Sequence, residues 1–402
     1  MANILGIGNC VLDTILDTDH YPREDEEMRA QGRTFSVGGN VANSLYVLNQ
    51  LGHASTLVTA TGGDHEAKQL KQGLEARSIN TDHIQRFLQG ATPTSYVIRN
   101  RETGSRTITH FRDLPEVSFD FFAKIEIENW DWLHFEGRNL SHLPGMLNIA
   151  RTFLDQQPIS LEVEKPREGI ETVFELANVI IFSHHYARAK GYQDGEALLS
   201  ALAPSLTAQH LICTWGTKGA WFKSAGQQTV HHQPAKEIDQ VIDTLGAGDT
   251  FNAGLIDALL QGHALAESVK AASDLASHKC QKQGLDNLLA PIEKPKPLAN
   301  QRSISQAKVT VVPAPKLGHS VLLISDGSQV KAYENNCPHQ NVPLNEAYKV
   351  DVNPFEKTMK CSVHDAFFKI ENGECVEGPC LNDALQPVAI RVEDNGDIYL
   401  AD

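Results

Sequence analysis

The sequence predicts an α/β protein in two parts. The first is a doubly wound, mostly parallel sheet carrying a small β lid, and the second is a smaller all-β domain. Three observations carry this reading. Short apolar runs of strand character alternate with helix patterns over the first 290 residues. The alternation stops at a proline-bearing stretch with no helical or strand period. Beyond it, only short strand patterns separated by turn residues remain.

In chain order, the apolar runs are ILGIGN, TLVTATG, WLHFEG, ISLEVE, VIIFS and HLICTW. Helix patterns such as NVANSLYVLNQLG, DHEAKQLKQGLEAR and DGEALLSALAPSL lie between several of them. Strands alternating with helices imply parallel pairing, with helices covering both faces of the sheet. Segments 11–35 and 94–112 differ. They alternate like exposed strands joined by turns, as expected of a lid standing off the main sheet. APIEKPKPLANQRSIS reads as a linker over 291–305. The second domain, 306–402, then follows as KVTVVPA, SVLLISD, QVKAYEN, VAIRVED and DIYLA, with no helix pattern.

Composition narrows the function. A net charge of −15 excludes a general binder of nucleic acid or anionic membrane, because such partners need a basic surface. No apolar run approaches the roughly 20 residues that span a bilayer. MANILGIGNC has no basic stretch ahead of its apolar residues, so it does not read as a signal peptide. A cytoplasmic protein with mostly reduced cysteines is expected. The cysteines are uneven: Cys10, Cys213 and Cys280 are scattered, whereas Cys337, Cys361, Cys375 and Cys380 crowd the end of the chain.

IDTLGAGDTFNAG, residues 242–254, places three small residues and an acid at a helix start. Phe251, Leu255, Ala258 and Leu259 recur at helical spacing, and Gly262 is a C-terminal stop signal. The amides of Gly246, Ala247 and Gly248 then form an anion site at the positive end of the helix dipole. Asp249 beside that site reads as a general base for phosphoryl transfer, or else as a simple helix cap. There is no GxxxxGK[ST] loop.

DTLGAGDTFNAG resembles the C-terminal signature of the ribokinase-like (PfkB) sugar kinases, and VGGNVANSLYVLNQLG, residues 37–52, resembles their N-terminal signature. VLDTILDTDHYPREDEEMR, GGNVANS, HFEGRN, EVEKPRE and the stretch around Asp249 resemble the ketohexokinase family, as does KCQKQGLDNLL more weakly. The resemblance covers nearly all of residues 1–290. It implies a ribokinase-like fold and ATP-dependent, magnesium-assisted phosphorylation of a ketohexose such as D-fructose at its 1-hydroxyl. It implies that Asp13, Gly39, Asn40 and Asn43 hold the sugar, with Glu136 beside it. Asp25 would reach a neighbouring subunit's sugar through the lid, making the protein a homodimer. Arg106 and Lys165 would neutralise the transferring phosphate. LICTWGTKGAWF would lie beside the nucleotide, with Trp215, Thr217 and Gly219 approaching adenine or ribose. Many PfkB kinases carry an Asn-x-x-Glu motif that organises magnesium. Here the corresponding stretch is FSHHYARAKG, so the magnesium ligands stay unassigned. The loop TVHHQPAKEIDQ also departs from the ketohexokinase pattern. A kinase for another sugar or a nucleoside remains an alternative.

In the second domain, Cys337-Pro338-His339 and Cys361-Ser362-Val363-His364 supply four ligands from two loops. One tetrahedral zinc would make a structural site. Two Cys on one iron and two His on the other would make a [2Fe–2S] centre. CPHQNVPL, CSVHDAFFKIENG and VEGPC resemble the two ligand loops and the proline loop of Rieske domains, which implies the iron–sulfur cluster. Asn341 and Asp365 replace glycines common in that family. Cys375 and Cys380 lie outside the ligand loops and read as free thiols. The cluster would serve redox sensing or electron transfer to a redox partner. The alternative for the whole chain is an electron carrier whose kinase-like part only binds sugar or nucleotide.

Overall fold

The structure, a computed structural model, describes residues 1–101, 105–154, 156–289, 297–304, 308–314 and 317–401. Two compact units divide the chain, Met1–Ile292 and Glu293–Asp402.

The first unit begins with β1 (Asn3–Ile7), β2 (Val11–Thr18), β3 (Gly32–Gly38), α1 (Asn40–Gln50) and β4 (Ala54–Thr61). It continues through α2 (His65–Ala76), β5 (Ile79–Asn80), β6 (Ile84–Arg86), β7 (Thr94–Asn100), β8 (Arg106–Phe111), α3 (Phe119–Phe122) and β9 (Trp132–Glu136). Then come α4 (Leu143–Phe153), β10 (Ile159–Val163), β11 (Val179–Ser183), α5 (His184–Ala189) and α6 (Gly195–Leu202). It closes with β12 (His210–Thr214), β13 (Ala220–Ser224), β14 (His231–Gln233), α7 (Ala247–Leu260) and α8 (Leu265–Cys280).

The main sheet runs β14-β13-β12-β11-β10-β9-β1-β4-β5, with β6 also on β4. Every pairing from β12 to β4 is parallel, while β13 and β14 add an antiparallel edge. The period-2 alternation of β1 shows why helices must cover both faces. Ile4 enters one core with α1, α2, α7 and α8, and Leu5 enters the other with α4 and α6. This is the doubly wound architecture expected of the first part.

The order β3-β2-β7-β8 forms a separate four-stranded sheet. Residues 102–104, inside the expected lid segment, lie outside the described residues. Register sorts the side chains of this sheet. Asp13 pairs with Ser95, and Ser95 with His110, while Arg99 lies opposite both Asp17 and Arg106. These residues share one face. Thr14 pairs with both Phe35 and Tyr96, and Thr94 pairs with Phe111, so Phe35, Tyr96 and Phe111 share the other. All three of these aromatics are exposed.

The second unit holds β15 (Ala299–Asn300), β16 (Thr310–Ala314), β17 (His319–Ser325), β18 (Val330–Glu334) and β19 (Asp351–Asn353). It ends with β20 (Thr358–Lys360), β21 (Phe367–Lys369), β22 (Cys375–Glu377), β23 (Ile390–Val392) and β24 (Asp397–Leu400). They form three antiparallel sheets, β15-β24-β23, β16-β17-β18 and β19-β20-β21-β22, with no α-helix among the described residues.

The expected linker needs correction at its C-terminal end. Residues 291–296 and 305 lie outside the described residues. Ala299–Asn300, however, pairs with β24, and the Leu298 amide donates to Ile398 O at 2.7 Å. Leu298, Ala299 and Ile304 pack on the core beside Ile398. Two paired residues after three prolines are too short a strand to register as a period.

Candidate active site and iron–sulfur site

The turn Thr244–Gly246 leads into α7, whose N-cap Gly246 is left-handed at φ 77°. This places Asp249 in the first turn, 8% exposed. Its carboxylate accepts from Asn43 Nδ2 at 2.8 Å, and its carbonyl accepts from Ser44 Oγ at 3.1 Å. Asn43 and Ser44 stand on α1, so the two signature helices are bonded directly to each other. α1 itself starts at Gly39, whose φ is 115°. A Cβ there would collide with Asn9 O, so only glycine permits this entry to the helix.

Asp249 opens onto a cleft of about 940 Å³. Asn40, Arg106, Glu162, Glu164, Thr217, Gly219 and Asn252 also line it. The Ala247 amide is engaged, donating to Thr244 O at 3.2 Å. Among the described residues, none accepts from the Gly246 or Gly248 amides. A Cβ added at Gly248 would meet nothing within 4 Å, so this side of the turn faces open space. The anion site therefore rests on two of the three expected amides.

Burial pushes the Asp249 carboxyl up to about 7, with Glu164 and Glu136 adding to the rise while Asn43 and Lys279 oppose it. A base poised near neutral pH suits proton abstraction from a hydroxyl. Glu162 is also raised well above the ordinary range, by burial and then by Asp249, Glu136 and Glu164. Its Oε2 is buried without a hydrogen-bond partner, as is Asn252 Nδ2. Asn40 Nδ2 reaches Glu162 Oε1 at 3.4 Å and Glu164 Oε2 at 3.3 Å.

That surplus of carboxylates suits a divalent cation. In this cleft, no group of three or more His, Cys, Asp or Glu among the described residues is arranged to hold a metal ion. Magnesium fits this pattern, because it usually takes one or two carboxylates and completes its shell with phosphates and water. Glu162 and Glu164 are the residues placed to serve it. His184 and His185, from FSHHYARAKG, also line the cleft.

The other expected residues are distributed as follows. Asp13 lies on the Arg106 face of the lid. Burial raises its carboxyl to about 6, and a hydrogen bond with Ser95 opposes the rise. Arg106 lies 3.9 Å from Asp243 at the cleft. Lys165 is exposed, pairs with Glu164 at 3.3 Å, and does not line the cleft. Glu136 sits in a small adjoining cavity with Asn9, Arg112 and Arg138. It accepts from Asn9 N at 2.9 Å and from Arg138 Nη1 at 3.2 Å. Asp25 is exposed in the loop after β2, at φ 63°. Trp215 departs from its expected place beside the nucleotide. It is 4% exposed and packs against Trp221 and His184, leaving Thr217 and Gly219 at the cleft.

Asp243, Lys279, Glu162, Glu164 and Asn252 were not singled out from the sequence. Asp243 opens the DTLGAGD string, and Glu162 and Glu164 are the first two acids of EVEKPRE. Those motifs were the available signal.

In the second unit, loops 335–344 and 361–366 carry Cys337, His339, Cys361 and His364. Both cysteines are fully buried in one core with Leu344, Met359 and Phe368. His339 Nδ1 and His364 Nδ1 face each other at 3.2 Å with their rings perpendicular, and both rings are partly exposed. Two buried sulfurs and two converging imidazole nitrogens match the two-Cys, two-His donor set of a Rieske cluster. Asn341 and Asp365 adopt φ of 55° and 59°. The glycine-like backbone is thus kept by the residue types that best tolerate it.

Residues 1–292 match the pfkB family carbohydrate kinase model. The chain belongs to the pfkB family. Residues 294–390 match the Rieske [2Fe-2S] domain, so the pfkB kinase carries a C-terminal Rieske unit. Mouse (Mus musculus) ketohexokinase is 34% identical over 294 residues, 71% of this chain and 98% of that protein. The Bacillus subtilis fructosamine kinase FrlD is 29% identical, over 65% of this chain and 87% of its own. Among solved structures, a putative ribokinase from Agrobacterium tumefaciens superposes with a TM-score of 0.62 at 22% identity, covering 70% of this chain and 92% of its own. The pfkB unit is therefore a sugar kinase with a ribokinase-like fold. No helix among the described residues is long and apolar enough to cross a membrane.

Proposed function

We propose that the kinase unit transfers the γ-phosphoryl group of ATP to the 1-hydroxyl of a ketohexose such as D-fructose. The observation that carries the reading is Asp249, buried in the first turn of α7 and held by Asn43 at 2.8 Å. Asp249 takes the proton from the attacking hydroxyl, which becomes the nucleophile on the γ-phosphorus. Asp13, Asn40 and Asn43 hold the polyol, since amides and carboxylates together match its donors and acceptors. The free amides at Gly246 and Gly248 stabilise charge on the transferred group, and Arg106 offsets it from the lid. Lys165 joins them if its exposed side chain swings in when phosphate binds. Glu162 and Glu164 would hold magnesium, which when bound would neutralise phosphate charge. The likeness to ketohexokinase supports the choice of sugar.

The kinase unit is a homodimer through its lid, with a second copy covering Phe35, Tyr96 and Phe111 and Asp25 reaching the partner's site. The exposure of three aromatics on one lid face supports this. The Rieske unit carries a [2Fe–2S] cluster for electron transfer or redox sensing, served by a redox partner.

The test is ADP release from Mg-ATP over a sugar panel led by D-fructose, with Asp249→Ala as control. Fructose-dependent turnover lost in the variant is expected. No turnover with any sugar, in protein shown to bind ATP, would overturn the reading in favour of a binding module.

A further inference from the structure

The lid of the kinase unit is joined to the main sheet at four places. The chain enters the lid between β1 and β2 and again before β7, and it leaves between β3 and α1 and again after β8. These joints meet on three residues that the phosphoryl transfer does not use, Asn9, Arg112 and Asp113. Asn9 follows β1 in the first joint. Gly39, in the second, lies so close to Asn9 O that a Cβ would collide with it. In the third, the Ala91 amide donates to Asp113 Oδ1 at 2.5 Å. Arg112 opens the fourth, directly after Phe111 ends β8.

The Arg112 guanidinium spans this meeting point. Its Nε donates to Leu114 O and its Nη2 to Pro115 O, each at 3.1 Å, and its Nη1 donates to Asn9 Oδ1. From there a ring of polar contacts closes. The Asn9 amide donates to Glu136 Oε2 at 2.9 Å. Glu136 Oε1 accepts from Arg138 Nη1 at 3.2 Å, and Arg138 Nε donates to Glu116 Oε1 at 2.6 Å. Glu116 Oε1 in turn lies 3.7 Å from Arg112 Nη1. The five residues line one small cavity. Two guanidinium groups balance two carboxylates, and none of the four side chains is more than 21% exposed. Bonds among such sheltered charges are stronger than those of surface ion pairs.

The two strands that leave this ring carry the residues placed over the substrates. Asp13 follows Asn9 along β2, and Arg106 precedes Arg112 along β8. Arg106 lies roughly 20 Å along the strand from Arg112, so a tilt of about 10° at the joint displaces it by roughly 3 Å. Misplacement by even about 1 Å is costly in phosphoryl transfer, which depends on positioning.

We propose that Arg112 is a positioning residue for the phosphoryl transfer: bonded to Asn9, it fixes the lid joints against Glu136 and so sets where Asp13 and Arg106 stand. This role rests on the reading of Asp13 as a sugar ligand and of Arg106 as a phosphate partner.

The test compares the full chain with Asn9→Ala, Arg112→Met and the double variant. Asn9→Ala removes the acceptor of Arg112 and keeps the amide that bonds Glu136. Calorimetry reads the affinity for the sugar that turns over, D-fructose first, and for ADP, which has no γ-phosphoryl group for Arg106 to meet. Sugar affinity is expected to fall roughly tenfold in each single variant, the worth of about one charge-assisted hydrogen bond, with ADP affinity unchanged. The double variant is expected to fall no further, because either substitution breaks the same bond. Asn9→Asp keeps an acceptor for Arg112 and is expected to bind sugar as the wild type does. Hydrogen exchange without ligand is the second readout. Amides of β2 and β8 are expected to exchange faster in Asn9→Ala, and those of β10 and β11 at the wild-type rate. Unchanged exchange in β2 and β8 would overturn the proposal, whatever the sugar. Faster exchange with sugar affinity intact would overturn it too, since the ring would then hold the lid without placing Asp13. So would losses that multiply in the double variant, or an ADP affinity that falls with that of the sugar. A wild type that binds no sugar overturns the reading of Asp13 and with it the role of Arg112, while exchange shows separately whether the joint is held. An Arg112→Met chain that does not fold leaves Asn9→Ala and Asn9→Asp to decide by the same two readouts.

Discussion

Lys279 is fully buried, and its ammonium donates at 2.8 Å both to the Asp243 carboxylate and to the Asp243 backbone carbonyl. The same carboxylate accepts from the Gly284 and Leu245 amides, through Oδ2 and Oδ1 respectively. Lys279 ends α8 and Asp243 begins the turn that delivers Asp249. The pair therefore ties the turn before Asp249 to α8, whose Ser273, Ala276, Ser277 and Cys280 line the same cleft. The Ile242 amide adds a bond to Cys280 O at 2.7 Å.

Replacing Lys279 with Met removes the charge and leaves the largely buried Asp243 without its close counter-ion, with Arg106 at 3.9 Å. Breaking one side of a buried pair costs about 3–5 kcal/mol. Lys279→Met is expected to lower the free energy of unfolding by about that amount and to slow ADP release along with it. The double variant Lys279→Met, Asp243→Asn is expected to recover part of the stability, since the orphaned charge is gone. Urea unfolding of the set checks both. A single variant as stable as wild type would show that the pair does not hold the turn.

The raised carboxyl of Asp249 gives a pH signature. A base must be deprotonated to act, so kcat/KM is expected to fall as pH drops through about 7 and to level off above it. Stability runs the other way. The folded-state value lies above the ordinary 3.8, so the protonated form is the one that folding favours. The stability it contributes is full below about 3.8 and is lost as pH rises through about 7. Asp249→Asn is expected to abolish at least ~10² of the rate yet to raise the melting temperature at pH 8, with a smaller gain at pH 5. A melting temperature difference that grows toward low pH would contradict the assignment.

Gly39→Ala forces a side chain into a backbone conformation at φ 115° and against Asn9 O. Strain of this type costs about 1–3 kcal/mol when it is tolerated at all. Because Gly39 starts the helix that holds Asn40 and Asn43, the sugar KM is expected to rise more than the ATP KM. Initial-rate kinetics with each substrate varied in turn separate the two. Equal effects on both would mean that the substitution acts on the fold as a whole.

The sequence exposed what local pattern can encode. The strand-helix alternation of the first unit, the small-residue turn before Asp249, and the Asn40–Asn43 spacing are all short-range signals. Trp215 was misplaced because the motif fixes its position on the hairpin but not which side its ring takes. In the folded chain the ring turns into the aromatic cluster with Trp221. Glu162 facing Asp249, and Lys279 facing Asp243, depend on strands and helices that meet only after folding. No spacing announces such pairs. The thiols of Cys375 and Cys380 are close in sequence, but their burial in one core with Cys337 comes with Gly378 packing against Ala366.

The two Rieske loops offer a last prediction. Asn341 sits at φ 55° in a loop closed by two bonds at 2.8 Å, from the Asn341 amide to Cys337 O and from the Cys337 amide to Val342 O. Asp365 sits at φ 59° where the Cys361 amide reaches Ala366 O at 2.8 Å. Left-handed backbone costs an ordinary L-residue roughly 1–2 kcal/mol, and β-branched residues tolerate it least. Asn341→Gly and Asp365→Gly are therefore expected to keep iron content at the wild-type level. Asn341→Val is expected to lose cluster, because the strained residue is part of the loop that presents Cys337 and His339. Iron and sulfide assays on purified full-length protein decide it. If Asn341→Val loaded as well as Asn341→Gly, the backbone conformation would not be what organises the ligands, and the Asn341 side chain would have to be credited instead.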